Sequence, residues 1–249
     1  MKKFLGTISA VIIVTLLFAG CAGNNGANNQ NGASNAGNQD EPWKDAEGGQ
    51  IAVGIATNIL LDGTEVKYIH VSGHPDPAVE KDLNGELYAF SAWDLEDMKD
   101  IKLEFTVTGA RQFLSIRRSG TRHTEGAAYP VAFLETQIFE LDSGEQAGDI
   151  KEFIKVDNDF RKLITSGVFK QVYPEGVEAE GAAERLAAEI VDKMSPDYFD
   201  LRFYLTDTSL GLYIEVLHAE GDYWAFEAPY TAITKSMQKK LALEYNLYQ

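Results

Sequence analysis

From Trp43 onward, apolar residues recur along the chain in two rhythms. Gln50–Leu60 and Glu65–Val71 are dense in Ile, Val, Tyr and Leu, with Asp62-Gly63 between them, which predicts two strands joined as a hairpin. Pro75-Asp76-Pro77 then opens a stretch in which Val79, Leu83, Leu87 and Phe90 return at helical spacing. Leu103, Phe105 and Val107 alternate with polar residues, Gly109 turns the chain, and Phe113–Arg118 follows as the second strand of another pair. Val131–Leu141 is a further long strand, ended by Asp142-Ser143-Gly144.

The middle of the chain changes period. Asp149–Ile154, Asp157–Val172 and Glu178–Met194 read as helices, the last with Leu186, Ile190 and Met194 in register, and Ser195-Pro196 stops it. Strand rhythm then returns. Leu201, Phe203 and Leu205 alternate with Arg202, Tyr204 and Thr206; Leu212, Ile214 and Val216 follow; Glu220-Gly221-Asp222 turns into Trp224–Ala228. This predicts a three-stranded meander with one buried face, closed by a short helix from Thr231. Strands and helices are grouped rather than strictly alternating, so the expected fold class is α+β: antiparallel sheets, as N-terminal strand pairs and the C-terminal meander, packed with several helices. Residues 43–249 make up this α+β domain, divisible into halves 43–145 and 146–249.

The first residues follow a different plan. Lys2 and Lys3 precede an apolar stretch from Ala10 to Phe18 that is short for a membrane span, and small residues follow it. Residues 1–20 therefore read as a signal peptide. Leu17-Phe18-Ala19-Gly20-Cys21 resembles the bacterial lipobox, with Phe18 where Leu is usual, which implies cleavage before Cys21 and acylation of its thiol. Ala22–Gln39 contains only Ala, Gly, Asn, Gln and Ser, so residues 21–42 are expected to form a flexible tether. Such a coil reaches about 21–25 Å, at ~5–6 Å times the square root of its length. The expected location is the cell membrane, lipid-anchored, on its extracytoplasmic face.

Charge and cysteine count narrow the function classes. The formal charge is −16, and removal of residues 1–20 takes away Lys2 and Lys3 but no acid, leaving −18. Nucleic-acid binding draws most of its affinity from cationic side chains on phosphates, and the charge of this chain has the wrong sign for it. Anionic lipid heads are repelled too, so the membrane is reached through Cys21, while cationic partners are attracted. Cys21 is the single cysteine. No internal disulfide can form, and a core of roughly two hundred residues must carry stability unaided.

Phe203-Tyr204-Leu205-Thr206-Asp207, Gly211-Leu212-Tyr213-Ile214, Gly221, Phe226 and Pro229-Tyr230 resemble a domain of unknown function found in bacterial extracytoplasmic proteins. The same domain occurs in the outer part of the anti-sigma factor RsiV and ahead of the catalytic domain of the peptidoglycan deacetylase PdaC. Ala127-Ala128-Tyr129-Pro130, Leu141-Asp142-Ser143-Gly144, Val71-Ser72-Gly73 and the helix around Leu83-Asn84 extend the resemblance over roughly residues 65 to 235. The family's proline after the second meander strand is replaced by Leu217-His218-Ala219. The resemblance implies a fold and an envelope setting. It brings neither a sigma-binding segment nor a deacetylase domain, and no catalytic residue.

Candidate chemistry is sparse. His70 and His74 are four apart, but Val71 stands where a deacetylase metal element has Ser or Thr, so they read as a strand-end and a loop histidine. Arg117, Arg118 and Arg122 form the basic cluster of an acidic chain. They either clamp a carboxylate or phosphate or balance neighbouring acids at a strand end. Tyr204 and Tyr213 belong to an aromatic-rich meander and either face outward as binding anchors or pack under a covering helix. No nucleophile elbow and no phosphate-binding glycine loop are present in the sequence. The expectation is a non-catalytic binding or sensing module with no metal or cofactor. Its partner would be a cationic secreted protein, for which the resemblance suggests lysozyme. The alternatives are a peptidoglycan-binding module and a hydrolase that uses carboxylates.

Overall fold

The computed structural model describes residues 43–44, 50–59, 65–92, 99–108, 112–123, 128–175, 181–193 and 201–244. Cys21, the signal peptide, the tether, the Asp62-Gly63 turn, Gly109, Met194 and Ser195-Pro196 lie outside them. The fold is α+β with antiparallel sheets. In the first sheet β1 (Trp43–Lys44), β2 (Gln50–Ile59) and β3 (Glu65–Ser72) lie in sequence order, and α1 (Pro77–Ala92) packs on β3. The Asp76 carboxylate accepts from Ala78 N–H and caps α1. Leu83, Leu87 and Phe90 then bury against Ile69 and Val71, as the helical spacing predicts.

The second sheet is a meander of β4 (Lys99–Thr108), β5 (Phe113–His123) and β6 (Val131–Glu140). Strand alternation gives its central strand two destinations: Leu114 and Ile116 join the cluster under α1, while Phe113 enters the C-terminal core.

The C-terminal sheet holds one strand more than the pattern predicts. β7 (Lys170–Tyr173) pairs with β10 (Tyr223–Pro229), and β9 (Ser209–Glu215) and β8 (Phe203–Leu205) follow in the order β7-β10-β9-β8. The helix expected over Asp157–Val172 is only α2 (Asn158–Thr165). Asp157 caps its start, and Gly167, at φ +74°, turns the chain out of the helix. The helix expected over Asp149–Ile154 is a 3-10 turn at Ile150–Glu152, and α3 (Ala182–Lys193) begins at Ala182. The short closing helix is present as α4 (Tyr230–Ile233), with α5 (Lys239–Glu244) beyond it.

Phe160 and Ile164 of α2 and Leu186 of α3 bury in one core with Phe203, Leu212, Ile214, Trp224 and Phe226. The meander's opposite face, which the sequence leaves either outward or under a covering helix, is filled by a strand. Tyr204, Tyr213, Tyr223 and Ala225 pack there with Leu134 of β6, so the meander is covered on both faces.

Candidate functional site

The β6 strand and the C-terminal sheet meet through side chains rather than a shared ladder. Thr136 Oγ1 donates to Phe203 C=O at 2.7 Å, Ser115 Oγ accepts from Leu205 N–H at 3.0 Å, and Thr108 Oγ1 donates to Leu205 C=O at 2.6 Å. These bonds meet Phe203 C=O and both main-chain groups of Leu205 on the outward edge of β8. Alongside them runs an open groove of about 730 Å³, within the usual range of ligand sites. Val131–Ile138 line one wall, and Phe203, Tyr213, Glu215 and Val216 line the other. Gln146–Gly148 stand at one end and Asp222 at the other, where its carboxylate accepts Ala132 N–H at 2.7 Å.

The structure divides the residues singled out from the sequence. Tyr204 and Tyr213 are 1% and 6% exposed, so neither is an exposed anchor. Tyr204 lies under Arg117, whose guanidinium is 4.7 Å from the ring centre, and its hydroxyl donates to Glu227 at 2.9 Å. Burial, reinforced by the Glu227 charge, pushes its pKa far above the ordinary tyrosine value. Burial also raises Tyr213, whose ring edges the groove beneath Arg202.

The arginine cluster does not form one clamp, because adjacent residues of a strand point to opposite faces. Arg117 faces the C-terminal sheet. Arg118 faces α1, is 3% exposed, pairs with Glu135 and lies against the rings of Phe90 and Phe133. Arg122 reaches the groove, 3.8 Å from Glu135 and over the Phe133 ring. Of the three, it is the one positioned to meet a ligand there.

His74 is a buried structural residue. Its Nε2 donates to Leu141 C=O at 2.8 Å and its Nδ1 accepts Asp76 N–H at 3.0 Å, tying the start of α1 to the end of β6. His70 belongs to β3 and meets the Tyr68 ring edge-on.

Sequence reasoning missed the groove's end wall. His218 Nδ1 donates to Asp222 at 2.8 Å, and the Tyr129 ring stacks on His218 with centres 5.9 Å apart. Tyr129 is 67% exposed and Leu217 71%, so an aromatic and apolar lip projects beside the groove. Its two halves come from segments nearly ninety residues apart, and no local pattern joins them. The signal that existed was Leu217-His218-Ala219, where the family the sequence resembles has a proline.

A crystal structure of a DUF3298 family protein from Pseudomonas aeruginosa PAO1 is similar to this chain, with a TM-score of 0.42 and 13% identity over 82% of this chain and 98% of that one. No family model and no curated protein matches the chain.

Proposed function

We propose that the protein is an extracytoplasmic lipoprotein, anchored through acylated Cys21, and that its folded part is a non-catalytic module that binds a cationic protein in the groove beside β6. The observation that carries this reading is the state of the groove's charged groups. Glu135 is held by Arg118 and Arg122, Glu215 by Arg202, and Asp222 by His218 and the Ala132 amide. Carboxylates committed in this way form a fixed polar surface and suit recognition better than proton transfer. The formal charge of −18 left after removal of residues 1–20 supplies attraction to a cationic partner, and the resemblance to RsiV suggests an enzyme of the lysozyme type.

A second reading, binding of cell-wall glycan, is favoured by the exposed Tyr129 ring at the groove's end, since sugars stack on such platforms. Salt separates the two. Capture of a lysozyme-type protein on immobilised chain should weaken markedly as the Debye length shrinks to about 8 Å near physiological ionic strength, whereas retention on purified cell wall should hardly change. Capture that ignores salt, or retention on cell wall alone that Tyr129→Ala abolishes, would displace the first reading in favour of the second.

A further inference from the structure

Main-chain groups of an antiparallel strand alternate between its two edges, so each residue of β6 either pairs with β5 or faces outward. Three contacts set the phase. Ala132 N–H reaches the Asp222 carboxylate, Ile138 C=O accepts Ala147 N–H at 2.8 Å, and Glu140 N–H donates to Glu145 C=O at 2.9 Å. The even-numbered residues therefore face out. Between these capped ends, Leu134 and Thr136 aim their N–H and C=O groups into the groove, and among the described residues no main-chain partner meets them.

Among the described residues, side chains close parts of other edges. On β3, Asn84 bonds both main-chain groups of Val71, and Ser91 Oγ accepts Ile69 N–H. On β8, Thr108 and Ser115 take both groups of Leu205. β7 is four residues long and is followed by Pro174. Val131–Ile138 carries neither Lys nor Pro, the residues that commonly guard an exposed edge.

We propose that this edge takes up an extended peptide segment as an added strand. The inference rests on the groove being a binding site and names the form its partner takes there. From Ala132 to Ile138 the edge is about 20 Å long at ~3.3 Å per residue, room for a guest of five or six residues. Neighbouring strands place side chains of matching phase on the same face. One set of guest side chains then lies beside Glu135 and Phe133, and the other beside Leu134 and Tyr213. The guest that fits alternates basic residues, which would share the Glu135 carboxylate with Arg118 and Arg122, with small apolar residues. Main-chain bonds supply its affinity and the two faces its selectivity.

The test uses the full chain in mild detergent with the peptide Lys-Val-Lys-Val-Lys-Val, and with two versions of it N-methylated on alternate amides in opposite phases. Residue-resolved amide exchange should find Leu134 and Thr136 fast in the free protein and slowed at least tenfold by the peptide. One methylated version should bind and the other should not, because only one phase of guest amides faces β6. Protection of both amides in the free protein would show the chain covering its own edge and would overturn the proposal. So would binding without added protection, or equal binding by both methylated versions. If protein capture by the groove persists while these amides stay unprotected, the binding reading stands and strand addition falls.

Discussion

Gly211 and Tyr204 show how one pair of residues holds two layers together. They are cross-strand partners in β8 and β9, and the Tyr204 ring lies directly over the glycine. A Cβ at residue 211 would sit 2.1 Å from that ring, so the site requires glycine on steric grounds. Gly211→Ala should destabilise the protein by about 1–3 kcal/mol or more, read from urea unfolding. His74→Ala, which orphans the Leu141 carbonyl and the Asp76 amide, should cost about 1–3 kcal/mol by the same measurement. The buried phenols give a pH signature. The pKa values of Tyr204, Tyr213 and Tyr223 are all raised, chiefly by burial. A raised group lends stability that is complete below its unfolded value, about 10, and is lost as pH climbs toward the folded value. The urea midpoint should therefore fall above about pH 10, with tyrosinate absorbance appearing partly at the unfolding transition. Complete tyrosine titration in the folded protein would contradict this. The alternation that places Tyr204 opposite Phe203 was legible in the sequence; what covers each face was not, because β6 arrives from sixty residues away.

At the scale of elements, local rules succeeded where one signal dominated. The α1 helix has its Asp76 cap, its Pro77 start and its Leu83, Leu87 and Phe90 stripe, and it forms as its sequence predicts. Asp157–Val172 failed because two signals share one segment: a capped helix and a strand of four residues, divided by Gly167. Val168, Phe169 and Val172 were already β-prone, but β10, the partner of β7, is some fifty residues downstream. The meander core is the test of the strand phase. Phe203→Ala or Ile214→Ala removes a buried side chain from the core beneath α2 and α3 and should cost about 2–5 kcal/mol in chemical denaturation. Wild-type stability in both variants would contradict the assigned faces.

For the molecule as a whole, the proposed anchoring and the charge act together. Asp142, Glu145, Asp149, Asp159, Glu184 and Asp207 are exposed, and so the acidity of the chain appears at its surface. Cys21→Ser should leave an uncleaved, unacylated precursor, whereas an unmodified Cys21 in membrane-bound protein, seen by mass spectrometry, would refute lipidation. The groove could not be found from the sequence, since its walls, β6 and the β9–β10 hairpin, are joined by tertiary packing alone. The most direct test of its role is a calorimetric titration of the full chain and of Gln146→Trp with a lysozyme-type protein at low salt. Gln146 is exposed at the groove's end, so the larger side chain obstructs the groove without entering the core. The account predicts binding by the wild type that Gln146→Trp weakens at least tenfold. No binding at micromolar concentration, or equal binding by both proteins, would contradict it.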